Sequence, residues 1–226
     1  MSKVKDFDWI YQHVLQRLGD ARELESFLAE PRSNEQLVAM ADNEYLSTMS
    51  RRIFRAGLKH SLVDARWPAF EQAFFQFSPQ RVARMSDDEL DMLMGNREII
   101  RHWGKIKAVR SNAVFLLDII DQYGSVGKWL AAWPVEDIVG LWTVLRKEAK
   151  QLGGNSGAYF LRMVGKDTFV LTEDVVVALK ALGVVDRRPG SQKDLQLAQQ
   201  AFNQWRQQSG RPLCQISRLL AMTVNY

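Results

Sequence analysis

Apolar residues recur at three- and four-residue spacing along nearly all of this 226-residue chain, and that period limits the fold more than any other feature. A stripe at i, i+3, i+4 and i+7 is the one-sided burial of a helix. Phe7, Ile10, Tyr11, Val14 and Leu18 follow it and stop at Gly19; Tyr45, Leu46, Met49, Ile53 and Phe54 repeat it. Ser33 with Gln36, and Ser86 with Glu89, have the spacing of a capping box, in which the first side chain and the fourth residue satisfy each other's backbone N–H. No stretch alternates apolar and polar residues convincingly, so strands are scarce. The expectation is an all-α chain of about ten helices, forming two lobes with a cleft between them. Long helices are predicted over 43–62, from Trp67 to Ser78-Pro79, over 99–112 and on to Gly124, and over 135–151.

Composition narrows the function. At 46% hydrophobic and 25% charged, the chain is globular in character and long enough to bury a good core. A net charge of +4 is compatible with a polyanion partner without requiring one. The single cysteine, Cys214, excludes an internal disulfide and a cysteine-based zinc site, and His13, His60 and His102 are widely spaced. No metal or other cofactor is expected. No apolar run is long enough to span a membrane, and MSKVKDFDW has no apolar signal core, so the expected location is the cytoplasm.

Four stretches carry candidate chemistry. Arg101, Lys105, Lys107 and Arg110 lie among apolar residues, which predicts a helix with a basic side. Leu152-Gly153-Gly154-Asn155-Ser156-Gly157 reads as a tight turn between two helices. Backbone N–H groups at such a helix start suit a phosphate oxygen, although a plain glycine turn explains the pattern equally well. Lys166 follows the second helix. Thr172 is a good N-cap, with Glu173 and Asp174 in the first turn, where the helix dipole favours carboxylates. Arg187-Arg188-Pro189-Gly190 is a basic loop, either solvated or touching phosphate.

The run Phe74-x-x-Phe77-x-Pro79-x-x-Val82-Ala83-x-Met85, then Ile99-Ile100-Arg101-His102-x-Gly104-Lys105-Ile106-x-Ala108-x-x-Asn112-Ala113, resembles bacterial DNA-3-methyladenine glycosylase I. That family belongs to the helix-hairpin-helix DNA glycosylases, and the resemblance covers most of 45–185. It implies one glycosylase-type helical domain over 1–226, with an N-terminal extension, 1–42, packed on it. The implied activity is hydrolysis of the N-glycosidic bond of alkylated purines of the 3-methyladenine type, in base excision repair. The implied partner is double-stranded DNA, bound by a monomer. By position, Gly153–Gly157 corresponds to the family's hairpin, and the DNA-binding set is Arg101, Lys105, Lys107, Arg110, Gly153, Gly154, Asn155, Ser156, Gly157 and Lys166. Ala56-Gly57-Leu58 is retained where the family fills the gap left by an extruded nucleotide, so Gly57 and Leu58 are the expected duplex plug, with a helix end carrying a core leucine as the equally weighted alternative. Arg52, His60 and Tyr45 are the expected base pocket, with a satisfied buried histidine as the favoured competing reading of His60 and an outward phosphate contact as that of Arg52. Glu173 and Asp174 are the catalytic candidates, with simple helix capping as the competing role.

The chain departs from the family at three places. The zinc clasp of two Cys and two His is missing. Arg52 and His60 replace the Glu and Trp that read and stack on the damaged base; an Arg only donates, whereas an adenine edge presents both donors and acceptors. The hairpin lacks the usual Leu-Pro-Gly-apolar-Gly pattern. The alternatives are therefore a non-catalytic DNA-binding protein that keeps the fold, and a helical interaction protein with no DNA role.

Overall fold

The computed structural model describes residues 5–224. Among them are fifteen α-helices, two 3-10 turns and no strand. In chain order the helices are α1 (Phe7–Leu18), α2 (Ala21–Ser26), α3 (Asn34–Ala39), α4 (Asp42–Arg55), α5 (His60–Ala65), α6 (Trp67–Ala73), α7 (Pro79–Ala83) and α8 (Asp87–Gly95). Then come α9 (Trp103–Tyr123), α10 (Val126–Ala132), α11 (Ile138–Glu148), α12 (Ser156–Val164), α13 (Glu173–Ala181), α14 (Gln192–Ser209) and α15 (Leu213–Met222). The 3-10 turns are Phe75–Phe77 and Val135–Asp137. Both capping boxes form as the spacing predicts, at Ser33 with Gln36 and at Ser86 with Glu89.

The count exceeds ten because several long predicted runs break. The run 43–62 ends at Arg55: Ala56 is extended and Gly57 is left-handed (φ +78°), a conformation that only glycine adopts without a steric penalty. The helix from Trp67 ends at Ala73, where Phe75, Gln76 and Phe77 turn through three successive left-handed residues (φ 51°, 53° and 54°). Strain of that kind persists only where packing over-determines it. Here Phe74 and Phe77 are fully buried and stacked at 5.6 Å, and Phe77 stacks on Trp67 at 5.3 Å. The run from Ile99 becomes helical only at Trp103, because His102 is an extended N-cap whose Nδ1 accepts from the Lys105 N–H at 3.3 Å.

The chain separates into two compact units, one of Arg32–Trp133 with Leu141–Lys166 and one of Met1–Pro31, Pro134–Gly140 and Asp167–Tyr226. In the central unit, Phe54, Trp67, Phe70, Phe74 and Phe77 form one buried aromatic cluster. Helices α3 and α10 touch backbone to backbone: a Cβ on Gly127 would lie 2.3 Å from the Leu37 carbonyl oxygen. In the terminal unit Phe169 stacks on Phe202 at 4.1 Å, with Trp205 edge-on to Phe202. Pro212 offers no side-chain cap to α15, so the remote Asp167 carboxylate accepts from the Leu213 and Cys214 N–H groups, each at 2.9 Å. No helix among the described residues is long and apolar enough to cross a membrane.

Candidate functional site

Within the central unit, the end of α4, the start of α9 and the loop before α12 are tied to one another by side chains. Asn112 is fully buried on α9; its Nδ2 donates to the Lys150 carbonyl at 3.1 Å and its Oδ1 accepts from the Lys150 N–H at 2.7 Å. Gln151, itself left-handed (φ 62°), donates from Nε2 to the Gly104 carbonyl at 2.8 Å. The α11–α12 loop is thereby clamped against the first turns of α9.

In that loop Gly153 and Gly154 are exposed, with Asn155 and Ser156 half-buried. Gly157, expected in the phosphate-binding set, is buried instead: its N–H donates to the Leu152 carbonyl at 3.2 Å, and an added Cβ would press on that oxygen. Its glycine serves helix packing. The exposed part of the turn is therefore Gly153 and Gly154, just before a nine-residue helix.

The basic run divides in two. Arg101 and Lys107 are exposed, and the Lys107 ammonium rests over the Trp103 ring at 5.0 Å. Lys105 and Arg110 point elsewhere. Arg110 donates to the Met85 carbonyl at 2.9 Å and pairs with Asp87 at 2.7 Å. Lys105 is buried; its Nζ donates to the Ala56 carbonyl at 2.7 Å and the Phe54 carbonyl at 3.3 Å. Burial, and then the nearby Arg52, lower its pKa below the usual lysine range. The sequence carries a signal for this: Lys105, Val109, Asn112 and Leu116 fall on one helical stripe, so a Lys and an Asn occupy core-facing positions. Lys166 is likewise buried, donating to the Trp133 carbonyl at 2.6 Å, because backbone oxygens at helix ends need partners.

Among the pocket candidates, Tyr45 is a correction. It is fully buried, its hydroxyl donates to the Leu37 carbonyl at 2.7 Å, and burial pushes its pKa up to about 12. It joins α4 to α3 and presents no surface to a base. Arg52 lies half-buried between α4 and α12, with its guanidinium over the Tyr159 ring at 4.7 Å and donating to Ser156 Oγ at 3.4 Å. Its Nε has no hydrogen-bond partner among the described residues, and burial lowers its pKa. His60 is exposed at the start of α5. Gly57 and Leu58 project at the α4–α5 turn, where Leu58 is 37% exposed and Leu62 beside it 45%. Arg55 and Asp64 close the turn with a two-pronged ion pair, the shortest contact being 2.6 Å.

In the terminal unit Thr172 caps α13, its Oγ1 accepting from the Val175 N–H at 3.3 Å. Glu173 is exposed and ion-paired with Arg188, whose guanidinium also donates to the Leu171 carbonyl. Asp174 is half-buried. Arg187 pairs with Asp194 at 3.3 Å, so both arginines of the basic loop have carboxylate partners.

A family model described as methyladenine glycosylase matches residues 37–154. DNA-3-methyladenine glycosylase 1 of Escherichia coli is 34% identical over 86 residues, covering 34% of this chain and 46% of that protein. The Haemophilus influenzae DNA-3-methyladenine glycosylase is 36% identical over 59 residues, covering 26% of this chain and 32% of that protein. The matched stretch thus spans less than half the length of either relative. A single-residue variant of 3-methyladenine DNA glycosylase I, solved with 3-methyladenine, superposes with a TM-score of 0.50 at 25% identity, covering 55% of this chain and 77% of that one. The 8-oxoguanine DNA glycosylase of Thermotoga maritima gives 0.52 at 13% identity over 94% of both chains, a likeness of fold alone. The fold is that of the all-helical, helix-hairpin-helix DNA glycosylases. With more than half of its residues matched by the family model, the chain belongs to the methyladenine glycosylase family.

Proposed function

We propose that this protein is a monofunctional DNA glycosylase that binds double-stranded DNA as a monomer in the cytoplasm and hydrolyses the N-glycosidic bond of alkylated purines. The observation that supports this reading is the clamping of the α11–α12 loop, with its exposed Gly153 and Gly154, to the first turns of α9, the helix whose start carries the exposed Arg101 and Lys107. Backbone N–H groups and cationic side chains of that kind hold phosphates and fix the register of a duplex. The Gly57-Leu58 turn supplies an apolar side chain to fill the space left when a nucleotide is rotated out of the stack.

In this reaction water adds to the anomeric carbon as the C–N bond breaks, the base leaves with the bonding electrons, and the proton lost by the water passes to solvent. An alkylated, positively charged purine is already a good leaving group, so modest catalysis is enough. Glu173 and Asp174 are the carboxylates we assign to stabilising the cation-like sugar, and Arg52 and His60 the groups we assign to the base.

A second reading is favoured by one observation. Arg52 stands where relatives place the base-reading Glu, and its guanidinium is already engaged by Tyr159 and Ser156. That arrangement suits a protein that keeps the DNA-binding fold and has lost excision.

Incubation with alkylated duplex DNA, followed by counting abasic sites, separates these readings. Abasic sites above the spontaneous level support the glycosylase. Salt-sensitive binding with no abasic sites supports the non-catalytic protein, and neither result leaves only a helical interaction protein.

A further inference from the structure

A buried lysine whose ammonium is spent on two backbone carbonyls holds something in place, and here that is the end of α4. The last carbonyls of a helix have no partner within it. Lys105 reaches from α9 to the carbonyls of Phe54 and Ala56, at 3.3 and 2.7 Å, and its ammonium also lies 5.9 Å from the Phe54 ring centroid. A cation at this position also suits the negative end of the helix dipole. Gly57, the next residue, turns left-handed with no atom near the position of a Cβ, and Leu58 follows in the open. On the other flank the Arg55–Asp64 pair closes the turn onto α5. The turn carrying Leu58 is therefore fixed on both sides, and Leu58 at its tip remains 37% exposed.

We infer that Lys105 is a positioning residue that presets the Gly57-Leu58 turn as a rigid apolar wedge for opening a duplex, an inference that rests on reading that turn as the duplex plug. Lys105 touches neither DNA nor substrate. It acts through the turn: a side chain that enters a base stack must not lose its own order on doing so, because that entropy would oppose unstacking. A lysine at 105 thus serves the wedge from inside the protein, although its charge in a basic run suggests a phosphate contact.

The test reads unstacking without chemistry. A duplex carries 2-aminopurine beside a tetrahydrofuran abasic analogue, and its fluorescence, quenched by stacking, is followed at saturating protein. Wild type should raise the signal several-fold. Leu58→Ala should abolish the rise, and Lys105→Met should lose most of it. Kd for the same duplex should change by less than about threefold in Lys105→Met, because phosphate contacts carry most of the affinity. Lys105→Gln, which keeps a donor able to reach one carbonyl, should fall between wild type and Lys105→Met, and it serves as the test if Lys105→Met does not fold. A merely structural lysine would lower the melting temperature of both variants and leave the signal per bound complex unchanged, which would overturn the inference. So would a wild-type protein that binds without any rise. A rise without base release from alkylated DNA would keep the wedge and remove the glycosylase.

Discussion

Tyr45 and Arg52 lie seven residues apart on α4, and their environments assign them different work. The Tyr45 hydroxyl is fully buried and satisfies the Leu37 carbonyl. Replacing it with Phe leaves that carbonyl without its donor, which should cost about 1–3 kcal/mol of stability. Denaturant unfolding should show this loss, while the rate of base release at a temperature well below melting stays at the wild-type value. Arg52 should instead govern which base is accepted. A guanidinium repels a cationic purine and prefers an acceptor-rich edge such as the O6/N7 side of a guanine-like base. Arg52→Glu exchanges repulsion for a charge-assisted hydrogen bond. With such bonds contributing about 1.5–3 kcal/mol, release of 3-methyladenine should rise roughly tenfold or more. Competition between cationic and neutral alkylpurines in one duplex preparation reads the change. An unchanged ratio would place Arg52 in the α4–α12 contact alone. The inward turn of Lys105, unlike these two roles, is written in its stripe with Val109 and Leu116, but charge pulls the eye toward solvent.

At the scale of elements, the helix starts were more legible than the helix ends. Ser33, Ser86 and Thr172 cap as their spacing requires, because a cap is a local contact between residues three apart. Breaks inside apolar runs depend on tertiary packing and were missed. Nothing in Phe74-Phe75-Gln76-Phe77 signals three left-handed residues, since the aromatic cluster that imposes them is assembled from α4, α6 and the turn itself. The glycines likewise divide only in three dimensions. Gly57 is needed for its positive φ, whereas Gly127 is needed for close approach of α10 to α3. Gly127→Ala would set a methyl 2.3 Å from the Leu37 carbonyl oxygen, and only a backbone shift relieves it. The expected cost is about 1–3 kcal/mol, the usual penalty of overpacking, seen as a lower melting temperature. A melting temperature equal to wild type would mean the two helices separate easily.

At the scale of the whole molecule, the all-α class, the capping pattern and the family were readable from periodicity and from a short run of distinctive residues. Which basic residues face solvent was not readable, because a backbone carbonyl competes with a phosphate for the same ammonium. Arg101→Ala and Lys107→Ala should each lower the slope of log K against log salt for duplex binding by about one, whereas Lys166→Met should leave the slope alone. The terminal unit adds a pH dependence. The Arg211 guanidinium, and then the Tyr11 hydroxyl, hydrogen-bond the Glu25 carboxylate and hold its pKa below the ordinary 4.5. A lowered carboxylate pKa stabilises the fold above the ordinary value, and the gain is lost as pH falls through the lowered one. Glu25→Gln should therefore be less stable than wild type near neutrality, by a small amount since the pair is exposed, and the difference should begin to shrink below about pH 4.5 and vanish only once the pH is below the lowered native value. The central claim is that this chain excises alkylated purines, and the most direct measurement is single-turnover release of free base from methylated duplex DNA, with the products separated and identified. The account predicts free alkylpurine released above the spontaneous rate, with 3-methyladenine increased by Arg52→Glu. Tight, salt-sensitive binding with no free base released by either protein would contradict it.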